Sequence, residues 1–334
     1  MNAPDASAPP AGVLVVDKPT GISSHDAVAR VRRLLGLRRV GHAGTLDPLA
    51  SGVLVVMVGE ATKLAPFLTI EDKRYEAVLC LGLATTTLDA EGEVTEACSL
   101  PEWLLAETTR TPQLAKALEL ERARQEQLPP RFSAIKVGGR TGYARARAGE
   151  QFELSPRQVR VDELELESVE FAEARGAKTA LVRLNVSVGK GYYVRSLARD
   201  FGAALGVPAH LGALRRTQSG PFELAHAVSL ASSREQLLTA MIPLGRVARL
   251  ALPATGLTDL GTEHVRKGQP VPPEHFESEP PRDGPSAWFD GMGELVAVGE
   301  LRSDGYGRVV RGFSRPSPAT VAAAGSARYD EAAS

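Results

Sequence analysis

The stretch GHAGTLDPLASGVLVVMVGEATK, residues 41–63, constrains the fold of this chain more than any other. Its second half contains an unbroken apolar run, Val53 to Val58, whose length and composition predict a buried strand. Its first half places two glycines in a short loop, where Pro48 biases Asp47 toward an extended backbone. We therefore expect a carboxylate held on a tight loop beside a buried strand. The same spacing also fits Asp47 as the cap of a short helix that begins at Pro48.

This stretch resembles the signature of the TruB family, the bacterial tRNA pseudouridine-55 synthases. That signature reads GHxGTLDPxAxGxL followed by GxATK, and each of its fixed positions is present between residues 41 and 63. In the family the aspartate of GTLDP is the catalytic carboxylate, so the resemblance implies this role for Asp47. It also implies that His42, which we expect on a loop, occupies the place in the RNA that the flipped uridine leaves.

Two tyrosines fall on segments that resemble base-binding motifs of the family. Tyr75 lies in KRY, where the family's tyrosine packs its ring on the target base and is the candidate for the proton moved from C5. Tyr193 lies in GKGYYVRSLARDFG, which resembles SKGTYIRxLxxDLG, and takes the place of a substrate-contacting tyrosine. The alternation in residues 73–83 independently predicts a strand with Tyr75, Leu79 and Leu81 on one face.

The resemblance implies two further site residues. Arg195 takes the place of the family's active-site arginine, and we expect its guanidinium to favour the ionised form of Asp47 and to orient it through two parallel hydrogen bonds. Leu214, in the closing motif AHLGALRR, takes a base-pocket position. The chain departs from the family motifs at Phe132, where the family has tyrosine, and at Tyr192, where it has threonine. Both departures change which hydroxyl groups are available for hydrogen bonds.

Basic and acidic residues are segregated along the chain, although the formal net charge is only −1. Residues 27–46 and residues 127–149 are rich in arginine and lysine and contain no Asp or Glu. We expect such segments to form a basic face that follows RNA phosphates, although solvated helix faces would explain each segment taken alone. The expected contacts with the RNA backbone are Lys18, Arg38, Arg39, Lys63, Arg215 and Arg216.

We expect an α+β fold of the pseudouridine synthase type, with a mixed, largely antiparallel central sheet flanked by helices. By resemblance, residues 11–245 form the catalytic domain. Residues 246–315 are richer in Gly and Pro and resemble a small, β-rich, PUA-like RNA-binding domain. Residues 1–10 and 316–334 are expected to be disordered tails.

The sequence lacks the motifs that are typical of several classes of enzyme. P-loop, dinucleotide GxGxxG, CxxC and HExxH motifs are absent, and no apolar run reaches membrane-spanning length. The two cysteines, Cys80 and Cys98, are too few for a disulfide framework and suit a reducing cytoplasm. Pseudouridine formation is an isomerisation, so we expect no cofactor, no nucleotide and no metal. The expected partner is the T arm of tRNA, and we expect a cytoplasmic monomer that does not bind membranes.

Three functions remain open at this point. The chain could be a tRNA pseudouridine synthase acting at uridine 55, a related synthase acting on other RNA, or an RNA-binding protein with a vestigial site. The presence of Asp47, Tyr75, Tyr193 and Arg195 argues against the third. Attack of Asp47 on C1′, its attack on C6, and abstraction of a sugar proton to give a glycal all fit the same residues.

Overall fold

The computed structural model describes residues 10–69, 72–105 and 111–314, so the expected tails lie outside the described residues except for Pro10. The helices in these ranges are α1 Ser24–Leu35, α2 Ala65–Leu68, α3 Glu102–Leu105, α4 Pro112–Arg122, α5 Gly142–Arg147, α6 Val194–Leu205, α7 Arg234–Thr239, α8 Leu244–Ala251 and α9 Asp259–Arg266. Short 3-10 helices span Gly59–Leu64, Leu224–His226 and Pro273–His275. None of these described helices is long and apolar enough to cross a membrane.

The strands in the same ranges fall into one large sheet and several small ones. They are β1 Gly12–Lys18, β2 Val40–Ala43, β3 Ala50–Val58, β4 Lys73–Leu81, β5 Leu83–Thr85, β6 Val94–Ala97, β7 Glu126–Gln127, β8 Lys136–Val137, β9 Arg140–Thr141, β10 Arg157–Gln158, β11 Val161–Ala174, β12 Ala177–Val188, β13 Ala209–Ser219, β14 Phe222–Glu223, β15 Val228–Ser229, β16 Ile242–Pro243, β17 Ala254–Gly256, β18 Ser286–Phe289, β19 Leu295–Leu301 and β20 Gly307–Gly312.

The central sheet follows the path β11-β12-β4-β13-β3-β1-β15. Two neighbouring pairs on this path are parallel, β13 with β3 and β1 with β15. The other neighbours are antiparallel. Three further strands pair at its sides, β2 with β3, β14 with β13 and β16 with β1. The expected mixed, largely antiparallel sheet of an α+β fold is therefore confirmed.

The apolar run of β3 is buried on both faces of this sheet, which explains why its sequence is continuous rather than alternating. Leu54 and Val56 belong to a core that includes residues of α1, α4 and α6. Val53 and Val55 point to the opposite face and belong to a second core, because successive side chains of a strand alternate. Each fully buried side chain of this kind contributes roughly 1.5–3 kcal/mol of transfer free energy. The strand that follows the Asp47 loop is therefore a rigid support.

The second core connects the central sheet to a small carboxyl-terminal sheet with the order β17-β18-β19-β20. Helix α8 contributes Val247 and Ala248 to this core, together with Val15 of β1 and Phe289 of β18. The predicted domain boundary between residues 245 and 246 falls within α8, and this boundary stays a prediction. The carboxyl-terminal sheet thus packs on the face of the central sheet opposite the first core.

Candidate active site

Residues 44–49 form the loop that carries Asp47 from β2 into β3. Gly44 opens the loop with a φ of +79°, a left-handed conformation that glycine adopts without a side-chain clash. The Ser24 hydroxyl of α1 holds the loop, because it accepts from the Leu46 N–H at 2.8 Å and donates to the Leu46 carbonyl at 2.9 Å. The loop enters a strand and not a helix, so the alternative interpretation of Asp47 as a helix cap is wrong. The Asp47 side chain remains 40% exposed.

Arg195, in the first turn of α6, faces this carboxylate with a side chain that is only 8% exposed. Its Nε lies 2.9 Å from Oδ2 of Asp47. Its Nη1 donates to the Thr87 carbonyl at 3.2 Å, and its Nη2 donates to the Phe132 carbonyl at 2.8 Å. The expectation of two parallel hydrogen bonds to Asp47 is therefore wrong, because the main chain engages both terminal nitrogens. The contact with the carboxylate is made through Nε.

Asp89 is a site residue that none of the sequence motifs above identifies. Its Oδ2 lies 3.7 Å from Nε of Arg195, and its side chain is 5% exposed. The Thr87 hydroxyl donates to its other oxygen. Leu88 just before it has a φ of +62°, which is uncommon for a residue other than glycine. The contact with Arg195 joins segments distant in sequence, so no local signal reveals it.

Strand register brings Leu214 and Tyr75 toward the end of the sheet where Asp47 lies. Leu214 of β13 pairs with Ala50 of β3, three residues after Asp47, and with Ala77 of β4 on its other side. Tyr75, two residues before Ala77, is 9% exposed and belongs to the first core. This burial confirms the predicted inward face of β4. The parts that Leu214 and Tyr75 play in binding a base stay predictions.

The two consecutive tyrosines before Arg195 have different environments. Tyr193 is the N-cap residue of α6, and burial raises the pKa of its phenol, which keeps the hydroxyl protonated at neutral pH. The Tyr192 hydroxyl donates to Oε1 of Glu121 at 2.7 Å, and Glu121 is 1% exposed. The tyrosine that stands where the family has threonine therefore adds a buried hydrogen bond between α4 and the segment that enters α6.

His42 lies on β2 opposite Val56, and not on a loop as expected. Its ring contacts that of His25 of α1 in a T-shaped arrangement with centroids 5.4 Å apart. Its Nδ1 is buried and has no hydrogen-bond partner among the residues that the structure describes. Burial lowers the pKa of His42, so its ring is neutral at pH 7. A neutral side chain beside the Asp47 loop suits contact with stacked bases better than contact with phosphates.

Two of the six expected RNA-backbone contacts are buried. Lys18 is 0% exposed, and its Nζ donates to the carbonyls of Pro19 and Ile22, both at 2.8 Å. Arg216 is 1% exposed, and its Nε donates to the Val53 carbonyl at 2.7 Å. Its terminal nitrogens point at carbonyls of the Asp47 loop. The prediction that Lys18 and Arg216 contact RNA phosphates is therefore wrong, because both side chains are buried and bind main-chain carbonyls around the site.

The other four basic residues reach solvent. Arg38 and Arg39 are exposed just before β2, and Arg39 donates to the Thr62 hydroxyl at 2.8 Å and pairs with Glu60. Lys63 pairs with the same Glu60 and donates to the Gly312 carbonyl of β20 at 2.7 Å. Arg215 of β13 donates to Asp17 at 2.8 Å and to Ser51 at 3.2 Å. Contact of these four residues with RNA stays a prediction.

The electrostatics of the site combine a buried cation with several carboxylates. The pKa of Glu91 is raised, mainly by burial and then by the negative charges of Asp89 and Asp47. Burial lowers the pKa of Lys18 to about 8, against the attraction of Asp47. Across residues 10–69, 72–105 and 111–314, no group of three or more His, Cys, Asp or Glu side chains is placed to hold a metal ion. The arrangement presents one accessible carboxylate, Asp47, beside the shielded guanidinium of Arg195.

Both the sequence and the fold of this chain are similar to those of known proteins. Residues 32–194 match the model of the TruB family pseudouridylate synthase N-terminal domain, and residues 195–242 match that of the tRNA pseudouridylate synthase B C-terminal domain. The chain is 42% identical to tRNA pseudouridine synthase B of Thermobifida fusca, over 87% of this chain and 95% of that protein. It is 46% identical to the protein of the same name from Nocardia farcinica, over 79% and 83%. A chain in a crystal structure of a Cbf5-Nop10-Gar1 complex superposes with a TM-score of 0.65 at 26% identity, over 91% and 84%. This chain belongs to the TruB family of pseudouridylate synthases.

Proposed function

We propose that this protein converts uridine 55 in the T arm of tRNA to pseudouridine. The reaction breaks the N1–C1′ bond, turns the uracil and joins C5 to C1′, while a proton leaves C5 and N1 gains one. The observation that carries the proposal is the contact between Asp47 and Arg195. It places an accessible carboxylate, on the family's GTLDP motif, against a buried guanidinium.

The carboxylate of Asp47 performs the attack or the proton abstraction that opens the reaction. Its Oδ2 is held by Arg195, so the direction of the carboxylate is set before substrate binds. Because Arg195 is fixed by two main-chain carbonyls, the site does not reorganise its charge as the bond breaks. Covering the site with RNA removes water and strengthens this electrostatic interaction.

The uridine must leave its stack to reach Asp47, at a cost of a few kcal/mol. Tyr75 recovers part of this by packing its ring on the flipped base, with Tyr193 and Leu214 completing the pocket. Tyr75 is also the group proposed to move the C5 proton. His42 occupies the space that the base leaves, for which a neutral ring is suited because the surrounding bases are uncharged.

Binding of the tRNA backbone is assigned to Arg38, Arg39, Lys63 and Arg215, the members of the basic set whose side chains reach solvent. The carboxyl-terminal sheet within residues 246–315 is proposed to act as a PUA-like RNA-binding domain, because Lys63 lies against its last strand. The protein is proposed to work as a monomer in the cytoplasm without a cofactor.

The direct test maps pseudouridine in a tRNA transcript after incubation with the purified protein. Modification at position 55, and none in a transcript with cytidine at that position, is the expected result. The Asp47→Asn protein, expected to fold and bind, is the control for contaminating activity. Absence of pseudouridine at position 55, with modification of an unrelated stem-loop, would assign the enzyme to another RNA.

A further inference from the structure

The buried residue Gln127 forms a pair of hydrogen bonds with the backbone of Tyr193. Its side chain lies at the end of β7, and the residue is only 2% exposed. Its Oε1 accepts from the Tyr193 N–H at 2.8 Å, and its Nε2 donates to the Tyr193 carbonyl at 3.2 Å. The orientation of the amide follows from these partners, because only the oxygen can accept from an N–H.

This pair of bonds acts at the point where the chain turns into α6. Tyr193 is the N-cap residue, and its carbonyl also accepts the first helical hydrogen bond, from the Leu197 N–H at 3.1 Å. Among the described residues, the side chain of Tyr193 makes no hydrogen bond that caps α6. The Gln127 amide therefore satisfies both backbone groups of the residue that starts α6, and it fixes the direction of Tyr193.

The segment after Gln127 is attached to the same helix. The Leu128 carbonyl accepts from Ser196 Oγ and from Arg199 Nη2, both at 2.9 Å. The Phe132 carbonyl accepts from Arg195 Nη2 at 2.8 Å. One stretch of chain thus holds α6 at its cap and also receives the guanidinium that faces Asp47.

We propose that Gln127 is a positioning residue for pseudouridine formation. It sets the backbone at Tyr193, and through the first turn of α6 it sets the guanidinium of Arg195 relative to Asp47. This inference rests on the proposed function of the site. Gln127 does not touch the substrate, and it acts by fixing the start of α6.

Two substitutions separate this role from simple packing. Gln127→Met fills a similar volume with an apolar side chain and removes both bonds to Tyr193. Gln127→Glu keeps the shape, but its ionised form can only accept, whereas its protonated form can donate to the Tyr193 carbonyl and accept from the N–H. The charged groups on the elements around it are Glu126 on β7, Arg157 on β10, Glu121 and Arg124 at and just after the end of α4, and Arg195, Arg199 and Asp200 on α6. They are common to both proteins, so the ratio of variant to wild-type rates reports on the new carboxyl group.

The experiment measures single-turnover pseudouridine formation, tRNA affinity and thermal unfolding for the full-length proteins between pH 5.5 and 8.5. For Gln127→Met we expect a rate at least about tenfold lower with affinity within about threefold of wild type. For Gln127→Glu we expect the rate relative to wild type to fall as pH rises, since deprotonation removes the donor. Gln125→Met, on an exposed neighbour in the same segment, is the matched control and is expected to react at the wild-type rate.

The outcomes distinguish the two proposals. A wild-type protein that forms no pseudouridine overturns the proposed function. An active wild type with a Gln127→Met protein of equal rate overturns the positioning role alone. If Gln127→Met does not fold, Gln127→Glu decides, because a wild-type rate at every pH would show that the donor to Tyr193 is unnecessary.

Discussion

The Nε of Arg195 lies 2.9 Å from Oδ2 of Asp47, while both terminal nitrogens of the same guanidinium donate to main-chain carbonyls. The position of Arg195 is therefore set by the fold and does not depend on the aspartate. Asp47, by contrast, is 40% exposed and is held through one oxygen. This asymmetry gives a fixed charge and an accessible reactive group, and it determines what substitution of each residue does.

Replacing Asp47 with Asn removes the negative charge and preserves the size of the side chain. We expect pseudouridine formation to be lost, with tRNA affinity changed by less than about tenfold, or about 1.4 kcal/mol. The fold is retained because Arg195 keeps its hydrogen bonds to the Thr87 and Phe132 carbonyls and its contact with Asp89. Single-turnover kinetics and filter binding test this, and a measurable rate for the variant would remove Asp47 from the catalytic role.

Replacing Arg195 with Lys keeps the charge and loses the planar group. A lysine cannot reach Asp47, Thr87 and Phe132 with the same geometry, so it leaves partly buried carbonyls unpaired. We expect turnover to fall by at least about a hundredfold, roughly 2.7 kcal/mol of barrier, with nearly unchanged tRNA affinity. Near wild-type turnover would mean that charge alone matters. A large loss of affinity that persists in the Asp47→Asn background would make Arg195 a phosphate contact.

The sequence predicts the Asp47 loop, the buried strand after it and the largely antiparallel sheet, because each depends on a local pattern or a long motif. The sequence also indicates that Lys18 is buried, although its charge alone suggests a residue exposed to RNA. Lys18 continues the alternation of Leu14 and Val16 on β1, which places it on the core face. The contact between Arg195 and Asp89 has no such signal, because it depends on the packing of a turn against α6.

Replacing Asp89 with Asn tests that unpredicted contact. The change removes one of the two carboxylates facing Arg195 and keeps a polar side chain of the same size. We expect a rate roughly tenfold lower, or about 1.4 kcal/mol of barrier, with tRNA affinity unchanged, since Asp89 is buried. Glu93→Gln, at an exposed position four residues after Asp89, is the control. Equal rates for wild type and Asp89→Asn would show that Asp89 only stabilises the turn.

Reversing Arg38 to Glu tests the basic face. Arg38 is exposed just before β2, so we expect weaker binding to all tRNAs and a shallower dependence of log affinity on log salt. Loss of one phosphate contact reduces this slope by about one. Arg183→Glu, at an exposed ion pair with Glu170 on the β11–β12 hairpin, serves as the control. An unchanged slope for Arg38→Glu would show that the segment between α1 and β2 is only a solvated surface.

Lys18 provides a prediction about pH. Burial lowers its pKa from 10.5 to about 8, although Asp47 attracts the ammonium group. Between about pH 8 and 10.5 the unfolded chain therefore binds a proton at Lys18 that the folded protein has already lost. Stability rises with pH wherever the unfolded state binds more protons, so the contribution of Lys18 to the free energy of unfolding increases across this window.

We expect the unfolding free energy of wild type minus that of Lys18→Met to increase with pH. Both values are measured by urea denaturation from pH 7 to 10.5. Methionine has a similar length and does not titrate, so effects of other groups cancel in the difference. Lys190→Met, at an exposed position, is the control. A difference that stays constant, or that falls as pH rises, would show that the ammonium group of Lys18 is not desolvated.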